Sequence, residues 1–321
     1  MKRILLTNSP TSFLHQGGGE QEIRLLAEAL NMAGMIADIY GPFSNSVHSY
    51  QFGIHFSLIS ESESIINSLN QTGLHLILWP NLWFINEPSL NHLKQLSSLL
   101  KNFKAIVFRS KAEENHFRKY FDLSGIDIIK VPSLIHPRFK QKNISNVFIE
   151  SYGFNNYAIW PGIIEPQKNQ LSAVLAFNQL EMDLVISGAV RDKAYFEECT
   201  RSAKENIHFI PSMPFVSDIH LSALLNSALF VELPLDFPGT SAMEAAEMGC
   251  CLLLSQSEWT EEMLGDRCIQ VDPLNIDEII SKVLQIRSTP LRNLDSESVS
   301  LIDQIKPLVK YICSYYRFSG S

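Results

Sequence analysis

The chain reads as an α/β protein made of two doubly wound, Rossmann-like domains that face one another across a cleft. Two observations predict this. Short apolar runs alternate with amphipathic segments along the chain, the pattern of parallel strands flanked by helices. The alternation pauses at a polar stretch near Lys140–Asn146 and then restarts, and 321 residues suffice for two domains. The expected division is residues 1–150 for the first domain and 151–301 for the second. A C-terminal helix, 302–321, is expected to return to the first.

In the first half, Ile4–Leu6 reads as a strand, followed by a loop through Ser9–Gly19. The helix after it carries Ile23, Leu26, Ala27 and Leu30 on one face, and Gly34 stops it. Strands are expected at Ala37–Tyr40, Leu74–Trp79, Ala105–Phe108 and Ile128–Val131, with helices at Leu90–Leu100 and Lys111–Tyr120. In the second half the strands are Tyr157–Trp160, Leu184–Ser187, Ile207–Ile210, Leu229–Glu232 and Cys251–Leu254. Helices fill Asn169–Gln179, Lys193–Ala203, Asp218–Leu225 and Thr240–Met248, the last ended by Gly249. Near the C-terminus, Leu301, Ile305, Leu308, Ile312 and Tyr315/Tyr316 recur at helical spacing, Pro307 predicts a kink, and Leu308–Tyr316 are expected to touch the first domain.

A net charge of −8 argues against general nucleic-acid binding, and its distribution is uneven. Residues 1–150 hold 14 Lys/Arg against 12 Asp/Glu, whereas 151–321 hold 12 against 22. No Lys or Arg falls between Arg24 and Lys94, yet Lys94–Lys142 contains eleven basic residues against four acidic ones. Such a surplus suits phosphate, peripheral contact with an anionic membrane, or simply a solvated face. The five cysteines show neither CxxC nor metal-ligand spacing, which fits a reducing cytosol. MKRILLTNSP does not read as a signal peptide, and no apolar stretch approaches the roughly 20 residues of a membrane span. A cytoplasmic protein, at most peripheral on the inner face of the membrane, is expected.

In parallel sheets ligands sit beyond the carboxyl ends of strands. Three post-strand segments carry candidate chemistry there. HQGGGEQE (His15–Glu22) sets three glycines before a helix N-terminus, a place where backbone approaches an anion or simply turns tightly. Lys168, in PGIIEPQKNQ, lies at a strand-to-helix turn from which a point charge reaches a diphosphate or only solvent. The third segment, ELPLDFPGTSAMEAAEMG, is the most informative. Gly239 permits close approach, Thr240 and Ser241 place hydroxyls beside helix N–H groups, and Glu244 follows one turn later, where a carboxylate accepts bonds from vicinal hydroxyls.

Together these segments resemble the family 4 glycosyltransferases, retaining enzymes of the GT-B fold. Gly17, Gly18 and Glu20 match that family's Gly-Gly-x-Glu, with Leu26, Ala27, Leu30 and Gly34 in register behind. Gly162, Ile163 and Ile164 stand where the family has Gly-Arg-Leu, and Lys168 is retained. Asp236 and Glu244, with seven residues between, match its paired acids around a Gly turn at Gly239. Gly188 matches a strand-end glycine, and Glu262 matches an acid after the next strand.

The resemblance implies a retaining, metal-independent transfer of sugar from a nucleotide-sugar co-substrate to an acceptor hydroxyl, with no other cofactor. It implies a glycan, lipid-linked or small-molecule acceptor. Asp236 and Lys168 become the catalytic positions. Donor binding would fall to Gly17, Gly18, Lys168, Gly188, Phe237, Pro238, Gly239, Thr240, Ser241 and Glu244. Within that set Glu244 takes ribose, Asp236–Gly239 the sugar, and Lys168 with Thr240 and Ser241 the diphosphate. The departures are Ile163 for the expected Arg, Asp236 for a Glu, and Glu258-Trp259 where Gly-Gly is usual. Arg109 and Arg191 are candidates to replace the missing cation. Two alternatives stay open: a non-catalytic GT-B protein that binds a nucleotide or partner, and a sugar-nucleotide epimerase.

Overall fold

The computed structural model describes residues 2–14, 17–141, 143–286 and 300–315. The chain clusters into two compact units, Met1–Leu134 with Val299–Ser321, and Ile135–Ser298.

In the first unit the chain runs β1 (Arg3–Thr7), α1 (Gly18–Met32), β2 (Ile36–Ile39), β3 (Phe52–Phe56), α2 (Glu63–Gln71) and β4 (His75–Trp79). It continues through α3 (Leu90–Leu100), β5 (Ala105–Phe108), α4 (Lys111–Arg118) and β6 (Asp127–Lys130). These strands form a parallel six-stranded sheet in the order β2-β1-β3-β4-β5-β6. β3 and β4 are buried throughout, as a sheet covered on both faces demands. Sequence reading passes over β3 because Gly53 and His55 interrupt its apolar run. Thr7 Oγ1 lies 2.9 Å from His55 Nδ1, while the buried Nε2 finds no hydrogen-bond partner among the described residues.

The second unit begins with α5 (Val147–Tyr152) and β7 (Tyr157–Pro161). It proceeds through α6 (Gln170–Phe177), β8 (Asp183–Ser187), α7 (Lys193–Ser202), β9 (Ile207–Ile210), α8 (Asp218–Leu225) and β10 (Leu229–Glu232). α9 (Thr240–Met248), β11 (Leu252–Ser255), α10 (Glu258–Met263), β12 (Ile269–Val271) and α11 (Ile276–Ile286) complete it. Its parallel sheet has the order β12-β11-β10-β7-β8-β9. The core gathers Trp160, Val174, Phe177, Leu184, Ile186, Val231 and Leu253 between sheet and helices. The helices and strands expected from sequence recur within about two residues; α2, α5, α10, β12 and α11 lie outside the segments that sequence reading picks out, α5 and β12 being too short to show a period.

α12 (Leu301–Gln304) and α13 (Lys306–Tyr315) pack on the first unit. Tyr311 Oη lies 2.9 Å from His75 Nε2 and donates to Asp127 at 3.1 Å, while Leu308 and Ile312 are fully buried. Lys2 donates to the Ile312 carbonyl. Tyr316, expected to join these contacts, lies outside the described residues. Among the described residues no helix is long and apolar enough to cross a membrane.

Each unit also buries a histidine in its neutral form. Burial holds His55 and His220 down to about 4, so each stays unprotonated where the unfolded chain takes a proton. The unfolded state therefore binds more protons below about pH 6.5, and stability falls as pH drops from there to 4. We expect on the order of 2 kcal/mol lost per histidine over that window. Urea unfolding at pH 7, 6 and 5 measures it, and a His55→Gln/His220→Gln double variant should show a shallower slope.

Candidate functional site

Strand order reverses between β7 and β10 in the second unit, because β8 and β9 continue on one side of β7 and β11 and β12 on the other side of β10. At such a switch point the loops after the two central strands diverge and leave a crevice at the carboxyl edge. Lys168 follows β7, and Asp236–Ser241 follow β10. The topology brings both segments to the same crevice, and the Lys168 ammonium lies 3.4 Å from Asp236.

Asn169 fixes that meeting. It sits at φ +58°, a left-handed conformation that Asn adopts at modest cost. Its buried amide donates to the carbonyls of Leu233 (3.0 Å) and Pro273 (2.9 Å), and Ser172 donates to its oxygen. The Leu235 N–H adds a bond to Gln167 O at 2.9 Å. The β7 loop is thereby tied to the loops after β10 and β12.

Gly239 caps α9 without a side chain. Its N–H donates to Glu232 at 3.4 Å, and the Ser241 hydroxyl donates to the same carboxylate at 2.8 Å. The Ser241 proton is thus committed within the protein. The main-chain N–H groups of Thr240 and Ser241 find no acceptor among the described residues, which leaves the helix end able to receive one. Glu232, the last residue of β10, is only 4% exposed. Burial raises its carboxyl above the ordinary range, against the pull of Lys168 and the two hydrogen bonds, and Asp236 pushes the same way as burial.

Glu244 is 7% exposed, so it lies within the packed side of α9, a burial that its helical spacing alone does not reveal. Pro238 is buried, and Phe237 stands 5.5 Å from the Trp259 ring. Trp259 thereby fills a place where the resemblance anticipates glycine. Ile163 is half-buried, and its carbonyl accepts from Gln170 at 2.7 Å. One residue on, the Ile164 carbonyl accepts from the Arg191 N–H, and the Arg191 guanidinium pairs with Glu165 at 3.0 Å, two residues along the chain from Ile163.

The remaining sequence candidates lie in the first unit. Gly17 caps α1, and its N–H donates to Glu20 at 2.8 Å. A Cβ on Gly18 would meet nothing within 4 Å, so sterics do not demand glycine there. His15 and Gln16 are outside the described residues. Arg109 is not available to an anion: its guanidinium is buried between Glu22 (3.1 Å) and Glu113 (2.6 Å).

Sequence reasoning passed over Glu232 and Asn169. Glu232 had a signal, a carboxylate at the end of an otherwise apolar strand. Asn169 had none beyond its place next to Lys168, since its role depends on carbonyls 64 and 104 residues away.

No protein-family profile matches this sequence, and no curated protein matches it either. Solved structures do. Sucrose-phosphate synthase from Thermosynechococcus elongatus superposes with a TM-score of 0.75 at 14% identity, over 100% of both chains. HepE from Anabaena, in complex with UDP and glucose, gives 0.78 at 13% identity, over 98% of this chain and 100% of its own. UDP-GlcNAc 2-epimerase from Methanocaldococcus jannaschii, in complex with UDP-GlcNAc and UDP, gives 0.63 at 10% over the same shares. The fold is GT-B. At these identities the likeness establishes the fold alone.

Within this GT-B chain Gly188 has a steric duty of its own. A Cβ there would stand 1.7 Å from the Gly162 carbonyl oxygen, where the loops after β7 and β8 cross. Only glycine fits without moving backbone. Gly188→Ala should cost on the order of 3 kcal/mol in urea unfolding. Gly162→Ala, whose added carbon would meet only the Trp160 ring at 3.6 Å, should cost much less.

Proposed function

We propose that the protein is a retaining glycosyltransferase of the family 4 type, with its nucleotide-sugar donor held in the second unit. The observation that carries this reading is the convergence of Lys168, Asp236 and the uncapped N-terminus of α9 at the switch point between β7 and β10. The likeness to the HepE complex with UDP and glucose supports it.

In this reading the helix amides of Thr240 and Ser241 and the Lys168 ammonium receive the diphosphate. Glu244 accepts the ribose hydroxyls, and Asp236 with Phe237–Gly239 receives the sugar. Gly188 shapes the loop beside them. Arg191 stands in for the arginine absent at Ile163. The bond from sugar C1 to the phosphate oxygen breaks, a bond from C1 to the acceptor oxygen forms on the same face, and the hydroxyl proton passes to a donor phosphate oxygen. Lys168 contributes by meeting charge that grows on the leaving diphosphate.

The likeness to UDP-GlcNAc 2-epimerases favours a second reading, inversion at sugar C2 without any acceptor. Incubation with a panel of nucleotide sugars separates the two: proton NMR shows either a new glycosidic bond and free nucleoside diphosphate, or an epimerised sugar. Protection of the protein against thermal unfolding identifies which donor to use.

Glu244→Gln keeps the side-chain volume and removes the charge that would accept the ribose hydroxyls. It should weaken nucleotide binding by about 1.5–3 kcal/mol in calorimetry. Lys168→Ala should lower kcat by about 10²–10³, the range for losing one such stabilising group. Nucleotide affinity unchanged in Glu244→Gln rejects the ribose assignment, and unchanged turnover in Lys168→Ala places the diphosphate elsewhere.

A further inference from the structure

The first unit carries a charged cluster that the donor reading does not use. It sits at the carboxyl edge of the sheet, where α4 leaves β5 and β6 ends. Glu114, buried on α4, is met by three cations: Lys111 at 3.3 Å, Arg118 at 2.7 Å and Lys130 at 2.5 Å. Burial would raise the Glu114 carboxyl, but the bonds from Lys130 and Arg118 and the charge of Lys130 hold it down to about 2. One carboxylate therefore faces three positive charges at every ordinary pH, leaving a surplus of two.

That surplus is accessible and held in place. The cationic side chains are 46–62% exposed, whereas their shared anchor is 7% exposed. Lys130 also donates to the Ser110 carbonyl at 3.4 Å and lies 5.3 Å above the Phe108 ring. Arg118 uses only Nε on Glu114, so its Nη groups are without a partner among the described residues. Lys111 opens α4 and Lys130 stands against the same end, where the helix field favours negative charge and opposes cations. A cluster placed only to brace β6 against α4 needs one cation on Glu114, not three, two of them against that field; Arg118 alone stands in the last turn, where the field favours it.

We propose that this cluster recognises a phosphate group on the molecule that accepts the sugar. A phosphate monoester carries about −1.5 to −2 at neutral pH, which matches the surplus, and offers three oxygens to three donors. The assignment to an acceptor rests on the transferase reading; the phosphate site itself does not.

The test uses the full-length protein and inorganic phosphate, titrated by calorimetry at low salt, with and without saturating UDP. Phosphate should bind in both conditions, and Lys111→Ser/Lys130→Ser should raise its Kd about tenfold or more. Glu114→Gln should act the other way: it removes the competing carboxylate, so phosphate should bind more tightly even though the variant unfolds more easily. A Glu114→Gln protein that is merely less stable, with phosphate affinity unchanged, overturns the proposal and leaves a structural ion network. Loss of phosphate binding when UDP is present also overturns it, because the phosphate was then in the donor site. Binding of phosphatidylglycerol vesicles through these cations without binding of free phosphate overturns it in favour of a membrane-facing surface. Failure of UDP to bind at all counts against the donor reading only, since phosphate binding to Lys111, Arg118 and Lys130 is read separately.

Discussion

The candidate site in the second unit depends on one buried amide. Lys168 is on a short loop with no regular structure beyond a single 3₁₀ turn, and a lysine there would ordinarily sweep through solvent. Asn169 prevents this by bonding to two carbonyls from two other post-strand loops while holding a left-handed backbone. Its side chain cannot be replaced by an apolar one without orphaning the buried Leu233 carbonyl, a loss of about 1–3 kcal/mol, and releasing the half-buried Pro273 carbonyl. The Lys168–Asp236 distance is therefore a property of the scaffold, which is the condition for a site to be preorganised.

Glu232 does the corresponding work on the other side. A carboxylate buried at the end of an apolar strand is expensive, and this one is offset by the Ser241 hydroxyl, the Gly239 N–H and the nearby ammonium. It fixes the turn that precedes α9 and so aims the helix N-terminus. The loops after β7 and β10 are thus each pinned by a buried polar side chain that itself faces away from solvent.

This explains what was legible in the sequence and what was not. Alternating apolar runs revealed β4, β5, β7, β8 and β10 because those strands are buried on both faces and read as continuous hydrophobic segments. Gly34 and Gly249 marked helix ends because the backbone there adopts φ of +81° and +79°. The Asp236–Gly239–Glu244 spacing was visible because it is local. Asn169 and Glu232 were not singled out, since their meaning lies in partners that only the folded sheet brings near. The burial of Glu244 was missed for a related reason: helical period tells which residues share a face, not what covers that face.

The same electrostatic pattern recurs at the carboxyl edge of each unit's sheet. Cations at both carboxyl edges are held by acids: Lys168 by Asp236, Arg191 by Glu165, Arg109 by two glutamates, and the α4 cluster by Glu114. A pair of equal charges such as Lys168–Asp236 gives little net attraction for an anion at a distance, so its value must lie in short-range geometry. On the transferase reading that balance suits bond breaking. While the donor is intact, Lys168 divides its interaction between Asp236 and the diphosphate. As C1 separates, the diphosphate gains negative charge and the sugar becomes positive. Lys168 is then drawn to the first and Asp236 to the second, so both contacts strengthen in the transition state and neither requires new solvent order. An arginine at Ile163 would bind the ground-state diphosphate as firmly as the departing one, which tightens donor binding without by itself raising kcat.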